Sequence, residues 1–477
     1  MSPLGGPARK LTAGSVQSSA AWSPDSEWLA TTVRASDTEP WAVHLVSVAT
    51  GEKRRVTAPP DGGGDGRAAF SPDGHTVAYI RTGTTVTSAI YVLPVAHGAA
   101  VGEPHRLIDD EWNVDGLTWS RDSREIIFAS ERGGRESLWR VSDSSGAAPE
   151  RIPGTEDAGC PSVSGGLSSH LAYHRGTGIF RTGVDGEHGA IWQAEVLRSK
   201  QLGPATRIIA SSEFDWGPQV SPDAKKIVFG SARSGRQELW TCNRDGSNPT
   251  QLTTAASFRG SFPGSPRWSS DSKRVAFDGV SGGNLDIYVI DAEGGVARRL
   301  TADPALDARP SWSRDDRWIY FLSRRSGTNH IWKAPAEGGA AIQVTRHGGY
   351  EPIETTDGKT LLYVNVGYGS DHLPELWSTP VAGGEETRVA GPVWSGYWAV
   401  ADEGVCWVDF GASPKNGPVP LRFFNLKTRQ VSQLGAIGNI PKTNAPAFSM
   451  TRDGRWVLWA RFADNGDSNI MMVENFR

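Results

Sequence analysis

Cysteine is scarce: the three in this 477-residue chain, Cys160, Cys242 and Cys406, lie far apart and form no CxxC pair. That excludes a disulfide framework or a cysteine zinc site as the organising principle, and leaves the redox compartment open. Basic clusters are missing too. Against 53 acidic residues stand 49 basic ones, for a net charge of −4, with no basic run or stripe, so the chain is not expected to bind nucleic acid. No stretch approaches the ~18 apolar residues that a membrane helix needs. The opening MSPLGGPARKLT lacks the apolar core of a signal peptide. A soluble chain with no membrane span and no address of its own is expected. Helix-poor structure is expected, because 56 glycines and 30 prolines are many for a helical protein and suit frequent turns. A hydrophobic content of 38% in turn excludes wholesale disorder.

What is present is a repeat. Residues 267–301, RWSSDSKRVAFDGVSGGNLDIYVIDAEGGVARRLT, return almost intact at 311–345 as SWSRDDRWIYFLSRRSGTNHIWKAPAEGGAAIQVT. Each copy reads as four short extended runs separated by polar or glycine turns, the pattern of a four-stranded antiparallel meander. The first turn has a mechanism, since Asp271 can bond its own backbone two residues on. An anchor of aromatic or Val, then Ser or Thr, then Asp two residues later recurs along the chain. Its hydroxyl position falls at Ser23, Ser71, Ser120, Ser164, Ser221, Ser269, Ser313, Thr355 and Thr451, although Ser164 has lost the aspartate and Glu354 and Met450 precede the two threonines. The spacings are 48, 49, 44, 57, 48, 44, 42 and 96. The last is two periods, so a degenerate unit lies between 391 and 436.

Ten units result, at approximately 13–57, 58–108, 109–152, 153–209, 210–253, 254–301, 302–345, 346–390, 391–436 and 437–477 plus 8–12. A period of ~40–50 residues with four strands per unit is the signature of β-propeller blades. The expectation is an all-β propeller of about ten four-stranded antiparallel blades. It would form one ring closed by pairing the orphan strand ARKLT at 8–12 with 469–476 of the three-stranded last unit. The alternative is two smaller propellers in tandem, because rings of six to eight blades are commoner. Most of the 19 tryptophans fall at equivalent positions. Trp22, Trp119, Trp268 and Trp312 on first strands, with Trp139, Trp240, Trp332 and Trp377 on third strands, are expected between blades.

Local catalytic motifs read as turns. The GxSxG match at 279–283 is followed by a strand, not the helix a nucleophile elbow needs. GKT at 358–360 lacks the upstream glycine of a P-loop. His170 and His174 lie ~13 Å apart at strand rise, too far to share a metal. Asp303 with Asp307, and Asp464 with Asn465 and Asp467, lack calcium-loop spacing. No cofactor is expected, though these acids leave room for a structural calcium ion.

A site is better sought where first strands line the channel. Two residues before the anchor the side chains are mostly small (Ala21, Ala69, Thr118, Ser162, Ser311), with Arg267 the bulky charged exception. Nearby loops add Asp115, Asp215, Trp216, Arg309, Tyr350 and Glu351. This mixed-charge mouth suits a small polar ligand or a partner protein. Replacing Arg267 and Glu351 together by alanine is expected to abolish binding with little effect on melting.

SPDGHTVAY, SPDAKKIVF and SRDDRWIYF, each followed by an LW, IY or IW strand and an ending such as RRLT, QLT or QVT, resemble the TolB-like, WD-repeat-like bacterial propellers over nearly the whole chain. GGEETRV, PVPLRFFNLKTRQV and MMVENFR are similar to the C-terminal propeller region of acidobacterial winged-helix or kinase regulators, although no winged helix, kinase glycine loop or membrane span occurs here. The resemblance implies a bacterial, extracytoplasmic (periplasmic) sensor or docking domain that binds without catalysis. The alternative it leaves is an accessory propeller of a hydrolase or a propeller-type polysaccharide lyase.

Overall fold

In the computed structural model the Ser/Thr-x-Asp anchor folds into the same turn eight times. The described residues are 15–473, apart from 35–38, 61–62, 83–87, 111–113, 131, 133–136, 145, 156–162, 166–170, 176–189, 198, 212–214, 255–262, 282–283, 366–372, 413–417, 439–446 and 462–468. In each turn the hydroxyl donates to the aspartate two residues on at 2.5–2.7 Å. The same oxygen accepts the backbone N–H five residues on at 2.9–3.2 Å. The third residue after the anchor is left-handed, which Gly74, Gly358 and Gly454 adopt freely.

The hydroxyl hydrogen bond holds the carboxyls of Asp25, Asp122 and Asp357 below their ordinary value, and that of Asp315 is pulled down to about 2 by Ser313, with Arg317 adding to it. A depressed carboxylate stabilises the fold above its unfolded pKa and loses that contribution as pH falls through the folded value. Circular dichroism should therefore show acid unfolding setting in between about pH 4 and pH 2. Full retention of structure at pH 2 would count against the turns as a source of stability.

The unit ends with a threonine for a comparable reason. The hydroxyls of Thr57, Thr155, Thr253, Thr301 and Thr345 each accept the N–H of a third-strand residue at 2.9–3.1 Å. This ties the short fourth strand to the third where the backbone ladder runs out.

The described strands form ten antiparallel sheets, the only helical element among them being a 3-10 turn at Phe410–Ala412. This is a β-propeller architecture. Contacts divide the chain into two compact units, Met1–Gly178 with Ser468–Arg477, and Ile179–Asp467, where one ring was expected, and the second is inserted within the first instead of following it in tandem. The first unit holds sheet A (Ser15–Trp22 to Lys53–Arg55), sheet B (Gly64–Phe70 to His105–Asp110), sheet C (Val114–Trp119 to Glu150–Arg151) and sheet D. Apolar clusters join A to B through Leu45 and Tyr79, and B to C through Ile90 and Phe128.

The second unit holds sheet E (Asp215–Val220 to Thr250–Gln251), F (Gly264–Trp268 to Arg298–Arg299), G (Asp307–Trp312 to Ile342–Gln343), H (Tyr350–Glu354 to Thr387–Ala390), I (Trp398–Ala401 to Val431–Ile437) and J. One apolar cluster lies between each neighbouring pair in the order E-F-G-H-I-J, and a sixth, with Ile191, Phe229 and Leu458, returns from J to E. The ring closes on itself after six sheets.

Sheets D and J depart from the repeat boundaries 153–209 and 437–477. Sheet J sets Phe448–Met450 and Trp456–Arg461 beside Ala190–Glu195 and Thr206–Ile209, in register from Ala190↔Arg461 to Glu195↔Trp456. Sheet D sets Val163–Gly165 and Leu171–Arg175 beside Asn469–Val473, from Leu171↔Val473 to Arg175↔Asn469. The fourth and tenth repeats have exchanged their outer strands. Residues 8–12, the expected closing partner, lie outside the described residues.

The first-strand tryptophans mostly pack as expected, and they also hydrogen-bond. Trp119, Trp268 and Trp312 donate Nε1–H to the carbonyls of Ala69, Gln219 and Arg267 on the preceding sheet at 3.0–3.1 Å. Trp22 differs and is 57% exposed.

Candidate functional site

Each of six first strands is kinked by a bulge four residues before its anchor. The residue there is left-handed, with φ of 46–63°: Arg67, Gly116, Gly217, Ser265, Arg309 and Glu351. Glycine adopts this conformation without penalty, whereas other residues do so at a cost of about 1 kcal/mol or more. Ser265, Arg309 and Glu351 therefore place polar or charged residues on the inner strands of the second unit where glycine would be easier.

Glu351 is the hub. Its carboxylate is almost fully buried and accepts four hydrogen bonds: Arg267 Nη2 at 2.7 Å, Gly396 N at 2.5 Å, Trp398 Nε1 at 2.9 Å and Ser395 Oγ at 3.1 Å. The acceptors and donors belong to sheets F, H and I, so the pair is a strut inside the ring. Burial, with the nearby Arg309 charge acting the same way, lowers the Arg267 guanidinium from its ordinary value, and Glu351 opposes that. Arg309 donates its backbone N–H to Asp278 at 2.9 Å. Arg267, Arg309 and Glu351 thus converge, as the sequence suggested. Because Glu351 also holds Ser395, Gly396 and Trp398, removing it together with Arg267 is expected to lower stability instead of leaving melting nearly unchanged.

Asp215, Trp216 and Tyr350 make contacts within the scaffold. Asp215 is fully buried, accepts Arg233 Nη2 at 2.9 Å and Ser211 Oγ at 3.0 Å, and anchors an arginine that lies over Phe229 and Trp240. The same clamp recurs as Asp65–Arg81 over Tyr91 and Asp307–Arg325 over Trp332. Trp216 is buried against Gly230, where an added Cβ would lie 2.2 Å from the indole. Tyr350 hydrogen-bonds Asn329. Asp115 sits in sheet C of the first unit, its backbone opposite Ala129, and its side chain is outside the described residues.

Ser281 pairs with Asn284 in a hairpin between Arg274–Ser281 and Asn284–Asp291, with strand on both sides. His174 lies in a strand, while His170 and residues 464–467 are outside the described residues. Asp303 and Asp307 gather around Arg325 at 3.8 and 2.7 Å. Among the described residues no group of three or more His, Cys, Asp or Glu is placed to hold a metal. Burial pushes the Cys242 thiol up to about 12 and Cys406 further, so neither is a ready nucleophile.

Beyond the strut, all six inner strands of the second unit line one cavity of about 120 Å³. Its charged wall residues are Arg267, Arg314, Glu354 and Arg452. Three of these went unnoticed in the sequence. The available signal was small: the anchor reads SRD at 313–315 and TRD at 451–453 where SPD stands at 221–223.

A sequence model of the TolB beta propeller domain matches residues 8–259 and 250–376. Among solved structures the chain is similar to TolB from Acinetobacter baumannii, at 15% identity over 75% of this chain and 82% of that one, with a TM-score of 0.41. It is also similar to an oligogalacturonate lyase from Vibrio parahaemolyticus (10% identity, 80% and 95% covered, TM-score 0.39). A third is a puromycin-hydrolyzing peptidase of Mycobacterium tuberculosis (12%, 79% and 54%, TM-score 0.37). No helix among the described residues is long and apolar enough to cross a membrane.

Proposed function

The chain belongs to the TolB beta propeller domain family, and on that premise we propose that it is a non-catalytic binding propeller. It takes a small polar ligand, or a short segment of a partner protein, in the channel of its six-sheet unit. The observation that supports this reading is the cavity lined by all six inner strands and walled by four charged side chains. A rigid ring that brings unlike residues to one axis is a binding device, and the repeat positions that define the sheets are spent on packing. Under this reading the likeness of GGEETRV, PVPLRFFNLKTRQV and MMVENFR to the propeller region of acidobacterial regulators makes the chain the ligand-reading part of such a protein, working outside the cytoplasm.

A thermal-shift screen of polar metabolites and peptides tests the proposal. A ligand present at a hundredfold its dissociation constant adds roughly 2.7 kcal/mol to stability. The same preparation, incubated with peptide, ester and uronate substrates, is expected to show no turnover above background. Turnover would sink the non-catalytic reading, and a screen without a single stabilising ligand would sink the binding role.

A further inference from the structure

Arginine follows the anchor residue in sheets G and J, as Arg314 and Arg452, where sheet E has Pro222 and sheet F has Ser270. G and J stand three places apart in a ring of six, so their arginines reach the cavity from opposite sides. Arg267 is a third cation on the wall, already held by Glu351. Glu354, the acid that lines the cavity, is also committed: Oε1 accepts Tyr320 Oη–H and Oε2 accepts Arg314 N–H, both at 2.7 Å.

The two facing guanidinium groups are less well matched. Arg314 donates Nε and Nη2 to the carbonyls of Thr355 and Glu354 at 3.2 Å, neutral acceptors that satisfy hydrogen bonding but not charge. Arg452 gives Nε to Asp402 at 3.0 Å, and its Nη groups have no acceptor among the described residues. Burial, followed by the like charge of Arg452, lowers the Arg314 guanidinium from its ordinary value, and Glu354, Asp402 and Asp316 only partly oppose that. Two cations that share a partly desolvated space repel, and an anion between them removes the repulsion.

We propose that this cavity binds a carboxylate group, clamped between Arg314 and Arg452 by charge-assisted hydrogen bonds. The inference rests on the binding role proposed for the channel and specifies its ligand. Planar guanidinium forks match a carboxylate. A space of about 120 Å³ is well above the ~10–15 Å³ that a single water requires, enough for a carboxylate and a short carbon chain. Trp268, Trp312 and Trp398 on the wall give that chain apolar surface. The carboxylate can come from a small organic acid or from a peptide C terminus.

Titration calorimetry on the full chain separates the sources, with succinate, tetra-alanine as the free acid, tetra-alanine amide and inorganic sulfate as probes. Saturable binding of succinate or of the free-acid peptide is expected, with the amide inert and sulfate weaker. Arg452→Gln should weaken that binding by about tenfold or more, the worth of a hydrogen bond to a charged group, while Arg298→Gln on the outer edge changes nothing. Arg314→Gln should do the same, but Arg314 also ties two carbonyls of sheet H. Half-exposed Arg452 is therefore the decisive variant. The proposal is overturned if neither carboxylate binds, if sulfate binds as tightly, or if Arg452→Gln leaves affinity intact. Should the carboxylates fail while another chemical class stabilises the protein in the thermal screen, the carboxylate assignment falls and the binding role stands. Should both fail, both are wrong.

Discussion

Glu351→Ala is expected to cost about 3–5 kcal/mol, the usual consequence of leaving the other half of a buried ion pair without its partner. The substitution strips Arg267 of its counter-ion and leaves Gly396 N–H, Trp398 Nε1–H and Ser395 Oγ–H without their acceptor, all inside the ring. Relief of the backbone does not compensate, because alanine at φ of 49° is as strained as glutamate. Glu351→Gln keeps the shape and loses the charge, so it should fall between the two. The double variant Arg267→Met with Glu351→Met removes both charges and should be more stable than Glu351→Ala alone, which separates the penalty of an orphaned cation from the net worth of the pair. Urea unfolding followed by tryptophan fluorescence reads all three. If Glu351→Ala lies within about 0.5 kcal/mol of the parent, the strut carries no stability.

Ending the chain at Asp467 is expected to damage the first unit and spare the second. Sheet D loses Asn469–Val473, and with it all five residue pairs from Leu171↔Val473 to Arg175↔Asn469. The exposed edge of Leu171–Arg175 then becomes a template for aggregation. Sheet J keeps Ala190–Glu195 and Thr206–Ile209 beside Trp456–Arg461, so the six-sheet ring retains its closing sheet. Hydrogen exchange should show protection at 163–175 reduced by about tenfold or more, with sheets E to I unchanged. Limited proteolysis should leave a core from near residue 190 to near 461. Unaltered exchange across 163–175 would show that the C-terminal strand is dispensable. Loss of protection throughout E to J would show that the ring does not close as described.

For the site, legibility tracked how local each signal was. Arg267 stood out because a bulky charge replaces the small residue found at its repeat position, and that contrast can be read from one chain. Asp215 and Trp216 looked like ligand residues because polar and aromatic types near an axis are ambiguous in sequence. Arg233 over Trp240 and the bare backbone of Gly230 decide their roles, and both lie on neighbouring strands. The donors to Glu351 from Ser395, Gly396 and Trp398 could not be foreseen, since they belong to the degenerate unit that lacks the anchor. Their distance in sequence, 44 to 47 residues, is bridged only when sheets H and I pack.

The sequence by itself determined the strand. The Ser/Thr-x-Asp turn, the apolar second strand and the threonine that accepts a third-strand N–H are each satisfied within one unit of ~40–50 residues. Their hydrogen bonds are local, so their pattern survives in the order of residues. Tertiary structure alone decided which sheet each outer strand joins. Ala190–Glu195 reads as the third strand of its own unit, yet it pairs with Trp456–Arg461, and Asn469–Val473 takes the vacated edge beside Leu171–Arg175. Backbone ladders carry the same donors and acceptors at every residue, so any third strand can hydrogen-bond to any second strand. The choice falls to side-chain packing between sheets, where Ile191 meets Phe229 and Leu458, and to closure of a six-sheet ring, neither of which a periodic pattern contains.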